Sequence, residues 1–234
     1  MRVLVTRPTA DATGTALQLR QMGHIPLISP MLEVRFRDGP ELSLAGVQAL
    51  VATSANGIRA FIRRTTHRDL PVFAVGAQTA KVALEAGFAD VKHSVGDSIA
   101  LANAIAGWAK PEAGILFHAA GNETAGKLAE HLREHGFKFH RDVLYDVVPV
   151  ETLSGEATLA LRAGELDAVL LYSPRSVETF SRCVQKAGLA PHCRTLIAVC
   201  ISETAAEKCR DLPLREIRVA ERPTENAMLE ALRR

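Results

Sequence analysis

Short runs of Val, Ile and Leu alternate along the chain with longer segments in which apolar residues recur at helical spacing. Parallel strands joined by crossover helices produce this alternation, because such strands are buried on both faces. The pattern predicts an α/β protein with helices between the strands. The predicted strands are Arg2–Thr6, Ile25–Ser29, Ala49–Thr53, Val72–Val75, Val91–His93, Ile115–His118, Ala168–Tyr172, Leu196–Cys200 and Ile217–Val219.

Two further extended stretches, Met31–Phe36 and Val143–Val150, do not fit this alternation. Turn or helix-start residues follow each of them, at Asp38–Pro40 and at Thr152–Gly155. We do not expect these stretches to belong to a helix-flanked sheet. We expect them to pair side by side as a two-stranded linker.

The chain also contains an internal similarity. Ala49–Ile58 resembles Ala168–Val177, and Ala74–Ala80 resembles Val199–Ala205; in each pair an apolar strand runs into a helix. A third pair, Ser98 and Thr224, follows in the same order, and the partners lie roughly 120 residues apart. The sequence therefore predicts two doubly wound parallel-sheet domains joined by a two-stranded β linker.

Pairing of the two linker strands determines how the chain is divided. The segment between them then forms one domain, and the two chain ends together form the other. The predicted domains are 1–35 plus 148–234 and the inserted 36–147, with linker strands near 30–36 and 143–150.

Composition and charge exclude several classes of protein. Of 234 residues, 47% are hydrophobic and 23% charged, which is typical of a globular fold and not of a disordered chain. No apolar run is long enough to span a bilayer, and the N-terminus lacks the apolar stretch of a signal peptide. We therefore expect a cytoplasmic protein with no membrane partner.

Basic and acidic residues are nearly balanced, at 28 and 26, without a basic block, and aromatic residues make up only 5%. Both features argue against a nucleic-acid partner. The four cysteines, Cys183, Cys193, Cys200 and Cys209, form no C-x-x-C pair, so we interpret them as reduced thiols and expect no metal site.

Small hydroxyl residues recur where predicted strands run into helices. They are Ser54, Thr79 and Ser98 in one half, and Ser173, Ser202, Thr204 and Thr224 in the other. Each one can be a helix N-cap and nothing more. As a group they can also line a cleft from two sides, where helix N-termini bind phosphate or carboxylate without much net charge.

Motifs for covalent, metal or nucleotide chemistry are missing from the sequence. There is no G-x-G-x-x-G or G-x-S-x-G, and Gly121–Lys127 resembles a P-loop but is followed by Leu128 where the hydroxyl residue belongs. Tyr145, in the second linker stretch, can donate a proton to a leaving oxygen. Tyr172 and His118, each at a predicted strand end, compete for that role.

An ordered set of short motifs covers nearly the whole chain. The motifs are Val3–Pro8, Thr53–Gly57, Val75–Ala80, Val143–Tyr145, Tyr172–Ser176, Ile201–Ala205 and Pro223–Thr224. Together they resemble the uroporphyrinogen-III synthase family. The resemblance implies two doubly wound domains joined by a two-stranded linker, with the first domain made from both chain ends.

The resemblance further implies a cofactor-free lyase of tetrapyrrole and heme biosynthesis. Its substrate would be hydroxymethylbilane, a linear tetrapyrrole rich in carboxylates, and its product uroporphyrinogen III. The enzyme would release water, invert the terminal ring through a spiro intermediate and close the macrocycle, chiefly by holding the substrate in the required fold. It also implies a monomer that receives its substrate from hydroxymethylbilane synthase.

Carried over residue by residue, the resemblance makes Tyr145 the catalytic candidate, with Tyr172, His118 and water as the alternatives. The implied substrate-binding residues are Thr6, Arg7, Ser54, Ala55, Asn56, Gln78, Thr79, Ser98, His118, Ser173, Arg175, Ser202, Thr204 and Thr224. The chain departs from the family at His118–Asn122, where an arginine-glycine pattern is common, and at Ile201–Glu203, which replaces a glycine-containing turn.

A second class of function fits the same features. Hinged α/β domains with anion-binding helix N-termini also occur in non-catalytic binding proteins. The alternative is therefore a two-domain cytosolic binder of a polyanionic small molecule, and the isomer formed from hydroxymethylbilane distinguishes the two.

Overall fold

A computed structural model describes residues 1–122 and 127–233. The chain forms two compact units, one made of Met1–Glu33 and Val148–Arg234 and the other of Val34–Val147. Compactness does not show that either unit folds independently, so the domains given above stay a prediction. In the described part of the chain, no helix has both the length and the apolar character needed to cross a membrane.

The first unit contains a five-stranded parallel sheet formed by both chain ends. Its strands are β1 (Arg2–Val5), β2 (Ile25–Ile28), β9 (Ala168–Leu171), β10 (Ile197–Cys200) and β11 (Glu216–Val219), in the order β11-β10-β9-β1-β2. Its helices are α1 (Thr9–Gln21), α6 (Gly155–Arg162), α7 (Pro174–Lys186), α8 (Glu203–Glu207) and α9 (Glu225–Leu232). A 3-10 turn, Ala190–Thr195, precedes β10.

Both faces of this sheet are covered, as expected for a doubly wound fold. Residues of α6, α7 and α8, among them Phe180, pack on one face with Leu4 and Val169. Residues of α1 and α9, among them Met228, pack on the other face with Val3. The alternation of neighbouring strand residues between two cores explains why these strands are uniformly apolar in the sequence.

The second unit contains a six-stranded sheet in the order β3-β8-β7-β4-β5-β6. Its strands are β3 (Leu32–Phe36), β4 (Val47–Ala52), β5 (Val72–Val75), β6 (Val91–Ser94), β7 (Ile115–Gly121) and β8 (Lys138–Pro149). Its helices are α2 (Ala55–Arg64), α3 (Gly76–Glu85), α4 (Ser98–Trp108) and α5 (Leu128–Glu134), and Pro111–Ala113 is a 3-10 turn. The cores place α2 and α3 on one face and α4 and α5 on the other.

Strand β8 corrects the expectation for the second linker stretch. It begins at Lys138 and pairs in parallel with β7 as far as Tyr145, so the start of the predicted linker stretch belongs to the helix-flanked sheet. Strand β3 lies next to it at the edge of the sheet, as expected from the predicted pairing. Arg37 N–H donates to the Leu144 carbonyl (2.8 Å), and Val150 N–H donates to the Met31 carbonyl (3.1 Å).

Candidate functional site

In each sheet the strand order reverses at one point: successive strands are added on one side of the first strand and then on its other side. In the first unit this point lies between β1 and β9, and in the second it lies between β4 and β7. Open parallel sheets bind ligands beyond the carboxyl ends of the strands at such points. The residues that follow these four strands therefore define two candidate sites, one in each unit.

Thr6 and Arg7 follow β1 in the first unit, but both side chains are already engaged. The buried Thr6 hydroxyl donates to the Leu170 carbonyl at 2.6 Å and so joins β1 to β9. The Arg7 guanidinium lies 3.1 Å from a Glu225 carboxylate oxygen and 3.9 Å from one of Asp11. The positive charge of Arg7 is therefore balanced within the unit.

Tyr172, directly after β9, lies beneath this arginine, with its ring centroid 4.8 Å from the Arg7 guanidinium carbon. Burial, together with the nearby Glu225 carboxylate, raises the pKa of the phenol well above its ordinary value. Glu225 also accepts a hydrogen bond from the hydroxyl of Thr15. Tyr172 is thus a protonated phenol in a charged cluster within the first unit.

Ser173 caps α7 in a reciprocal arrangement. Its side-chain oxygen accepts from Ser176 N–H at 3.1 Å, and the Ser176 hydroxyl oxygen accepts from Ser173 N–H at 3.0 Å. Pro174 occupies the first helical position, where a missing N–H does no harm. Arg175 is the next residue of α7 and is half-buried.

The other junctions of the first unit are also capped helix starts. Ser202 caps α8 by accepting from Ala205 N–H at 3.3 Å, and Thr224 caps α9 by accepting from Ala227 N–H at 3.3 Å. The hydroxyls of Ser202 and the exposed Thr204 lie 3.4 Å apart. A groove of about 420 Å³ beyond β10 and β11 is lined by Ile201, Ser202, Glu203, Val219, Ala220, Glu221, Arg222 and Pro223.

In the second unit, Tyr145 lies where α2 begins and β7 ends. Ser54 caps α2, with its side-chain oxygen accepting from Asn56 N–H at 3.2 Å, and it also forms a hydrogen bond with the Tyr145 phenol. The Tyr145 ring packs so closely on Gly121 that a Cβ there would lie 2.9 Å from two ring carbons. The Tyr145 carbonyl accepts from Asn122 N–H at 3.0 Å.

Tyr145 is only 5% exposed, and burial raises the pKa of its phenol. The hydrogen bond with Ser54 and the positive charge of Arg141 oppose this rise. Arg141, in β8, donates to the Gly121 carbonyl at 2.6 Å. The site therefore contains a protonated phenol whose ionised form would have both a hydrogen bond and a nearby cation.

His118 does not end its strand, contrary to the sequence-based prediction. Strand β7 continues to Gly121, so His118 lies inside the strand and is 1% exposed. Its Nε2 lies 3.3 Å from the Thr53 hydroxyl oxygen, and burial together with Arg141 lowers its pKa to about 4. It is therefore a neutral imidazole at pH 7, not a cationic contact for a carboxylate.

Helix α2 is held against the sheet by a close backbone contact. A Cβ at Gly57 would lie 2.4 Å from the Ala119 carbonyl oxygen, so only glycine fits. Ala55 and Asn56 are buried in the first turn, and the Asn56 side-chain oxygen accepts from Arg59 at 2.9 Å. This contact fixes the position of Ser54 relative to β7.

Two of the predicted helix-opening hydroxyls in the second unit, Thr79 and Ser98, are not N-caps. Thr79 is a buried residue inside α3, which begins at Gly76 with a φ of 74°, while Gln78 before it is exposed. Ser98 is the first residue of α4, whose cap is Asp97; this carboxylate accepts from the N–H groups of Ile99 and Ala100, both at 3.0 Å. A carboxylate already at that helix N-terminus disfavours binding of a second anion.

The sequence model of the family described as "Uroporphyrinogen-III synthase HemD" matches residues 14–230. The chain belongs to the uroporphyrinogen-III synthase family. This confirms the resemblance inferred from the ordered motifs. A curated relative, "Porphyrin biosynthesis protein HemD" of Ruminiclostridium josui, is 28% identical over 247 aligned positions, covering 99% of this chain and 48% of the relative. The chain thus spans about half the length of that relative.

Solved uroporphyrinogen-III synthases share the fold. The enzyme from Helicobacter pylori superposes with a TM-score of 0.63 at 18% identity, covering 99% of this chain and 98% of the other. A mutant enzyme from Thermus thermophilus gives 0.54 at 18% identity, covering 100% and 97%. The predicted fold class is confirmed, whereas the roles of individual site residues stay predictions.

Within this uroporphyrinogen-III synthase fold, the structure adds residues that sequence reasoning missed. Gly121, Asn122 and Arg141 surround Tyr145, yet only the register between β7 and β8 brings them together. The P-loop-like stretch includes residues 123–126, which lie outside the described part of the chain. Among the described residues, no group of three or more His, Cys, Asp or Glu is arranged to hold a metal.

Proposed function

We propose that this chain is a uroporphyrinogen-III synthase: a lyase that cyclises hydroxymethylbilane with inversion of the terminal ring and loss of water. Membership of the family supports the reaction class. The observation that carries the proposal is the buried Tyr145 phenol, hydrogen-bonded to Ser54 where the strand order of the second unit reverses.

In the proposed mechanism Tyr145 acts as a general acid. The C–O bond of the substrate's hydroxymethyl group breaks, its electron pair stays on oxygen, and the phenol proton converts the leaving hydroxide into water. The Ser54 hydroxyl donates to the phenolate and Arg141 supplies a nearby positive charge, so both stabilise the ionised tyrosine. The raised pKa keeps the phenol protonated, and ready to donate, at neutral pH.

Ring inversion depends on holding the flexible substrate so that the terminal ring attacks in its inverted orientation. We propose that capped helix starts bind the substrate carboxylates through backbone N–H groups and hydroxyls. The starts of α2, α7, α8 and α9 carry Ser54, Ser173, Ser202 and Thr224, and the groove beyond β10 and β11 borders Ser202. The reaction as proposed uses no cofactor.

Three further properties stay predictions. They are a cytoplasmic location, a monomeric state, and direct hand-over of hydroxymethylbilane from hydroxymethylbilane synthase. Uroporphyrinogen III is the expected product. No nucleic-acid or membrane partner is needed for the proposed reaction.

The decisive experiment supplies hydroxymethylbilane to the purified chain and separates the porphyrin isomers after oxidation. Spontaneous closure gives the uninverted isomer I, so heat-denatured protein measures the background. We expect isomer III in large excess over that background. Isomer I alone would refute the proposal. Slowed formation of isomer I without isomer III would indicate the non-catalytic binder instead.

The role of Tyr145 is tested by comparison with Tyr172, the other tyrosine of the chain. We expect Tyr145→Phe to lower kcat for isomer III formation by about tenfold or more, since the proton donor is lost while the ring is kept. The matched variant Tyr172→Phe should retain most of the activity. The opposite result would move the role to Tyr172, and unchanged kinetics in both variants would leave His118 or water as the donor.

A further inference from the structure

Two of the four cysteines lie side by side in the core of the first unit. Cys200 is the last residue of β10, Cys209 follows α8, and their Sγ atoms are 3.6 Å apart. The other two thiols each lie near a carbonyl oxygen: Cys183 Sγ lies 3.8 Å from the Val150 oxygen and Cys193 Sγ lies 3.9 Å from the Leu189 oxygen. Cys200 and Cys209 are thus a thiol pair, with two buried single thiols for comparison.

The pair is close enough to be joined by a small movement of one segment. A disulfide needs its sulfurs at about 2.05 Å, so the gap must close by about 1.5 Å. Cys200 is held in the sheet by parallel neighbours on both sides, β9 and β11. Cys209 instead follows a five-residue helix, and its N–H donates to the nearby Ala206 carbonyl at 2.9 Å. The α8 segment can therefore supply the movement.

We propose that Cys200 and Cys209 form a reversible disulfide when the protein is exposed to a peroxide. One thiolate attacks the peroxide, taking one oxygen to become a sulfenic acid while the other oxygen leaves as hydroxide. The second thiol then attacks that sulfur and expels the hydroxyl as water. Two thiols and one hydrogen peroxide thus give one disulfide and two waters, and the peroxide is the oxidant.

Cys209 is the thiol expected to react first. A hydrogen bond from Cys200 favours the Cys209 thiolate, so it lowers the pKa of Cys209 and raises the pKa of Cys200, and burial raises the pKa of Cys200 further. Both side chains are fully buried, so the reaction requires local opening of the α8 segment and is expected to be slow. The disulfide would close a short loop that contains Ser202 and Thr204 and borders the groove beyond β10 and β11.

Tryptic peptide mapping tests the proposal directly, because every cysteine lies on a different peptide. Cleavage after Lys and Arg gives 183–186, 187–194, 195–208 and 209–210, carrying Cys183, Cys193, Cys200 and Cys209 in turn. The native protein is treated with hydrogen peroxide, free thiols are blocked, and the digest is analysed by mass spectrometry. We expect peptide 195–208 joined to 209–210, and its loss on treatment with dithiothreitol.

Variants and an unfolded control separate this pairing from general oxidation. Cys200→Ala should abolish the cross-linked peptide, while Cys183→Ala should leave its yield unchanged within twofold. Protein unfolded in urea should instead give several pairings. Sulfinic or sulfonic acids on the single thiols without the cross-link would overturn the proposal. So would retention of all four free thiols under conditions that oxidise the unfolded chain. This readout is independent of catalytic activity.

Discussion

Gly57 provides a sharp test of how the second unit holds Ser54 in place. In Gly57→Ala, the added Cβ would lie 2.4 Å from the Ala119 carbonyl oxygen. That oxygen belongs to β7, which is held between β4 and β8. The strand cannot move aside easily, so α2 must move instead. Its buried residues Ile58 and Phe61 move with it.

The size of the effect follows from two opposing contributions. An ordinary contact needs about 3.4 Å, so α2 must shift by about 1 Å; because the opposing atom is backbone, we take the upper part of the usual overpacking cost, about 2–3 kcal/mol. Alanine also favours the helix over glycine by about 1 kcal/mol. We therefore expect a net loss of about 1–2 kcal/mol in the free energy of unfolding, which lowers Tm by about 2–8 °C for a chain of this size.

Activity should fall further than stability. Ser54 caps α2 and bonds to the Tyr145 phenol, so the same shift displaces the proposed proton donor from its partner. A misplacement of about 1 Å in an active site can reduce the rate about a hundredfold. We expect a loss of that order in isomer III formation by protein that is still fully folded at the assay temperature.

Gly107→Ala is the matched control within the same unit. Gly107 lies in α4, and a Cβ there would meet nothing within 4 Å. This variant should keep full activity and be slightly more stable, by about 0.5–1 kcal/mol. The reasoning is refuted if Gly57→Ala matches the wild type in thermal and urea unfolding, or if both variants lose stability equally.

Other predictions concern stability and are measured by urea unfolding. The pKa of His118 is about 4 in the folded protein, against 6.5 in the unfolded chain. As the pH falls from 6.5 to 4, the unfolded state therefore binds more protons, and the free energy of unfolding should drop by up to about 3 kcal/mol. His118→Gln should remove that part of the pH dependence. Thr6→Val removes the donor of the buried Leu170 carbonyl and should cost about 1–3 kcal/mol at pH 7. Thr224→Ala removes the α9 cap and should cost about 1 kcal/mol, whereas an unchanged urea midpoint would show that the cap contributes nothing.

Most strands were predictable from the sequence because both of their faces are buried. Strands such as β1 and β9 contact helices on both faces, so each is a short apolar run in the sequence. The first half of β8 was missed for the opposite reason. At Lys138, His140 and Arg141 the strand carries polar side chains near the edge of the sheet, so no apolar run marks it.

The helix starts were predictable where a hydroxyl residue directly follows a strand. Ser54, Ser173, Ser202 and Thr224 are all N-caps, as the local pattern suggests. Ser98 begins α4 as predicted, but it is not the N-cap, because Asp97, one residue earlier, is an equally good cap and takes the position. Capping is decided by backbone geometry, which composition alone does not specify.

The neighbours of Tyr145 could not be found without the strand order. Ser54 follows β4, Gly121 ends β7 and Arg141 lies in β8, so three separate stretches meet only because β4, β7 and β8 are consecutive in the sheet. The β7–β8 register shifts just before Gly121 pairs with Tyr145. A shift of one residue reverses which face a side chain occupies, and local sequence does not encode it.

Two of these contacts show how positive charge is balanced locally. Arg7 is neutralised by Glu225 and Asp11, and the N-terminus of α4 is already occupied by Asp97. The Arg7 guanidinium and the N-terminus of α4 thus already have acidic partners within the fold. Under the proposed function, a substrate rich in carboxylates would then rely on the hydroxyl-capped helix starts, whose N–H groups bind anions directionally. Such recognition would orient a flexible substrate without long-range attraction, and in the proposed mechanism that orientation selects the inverted ring closure.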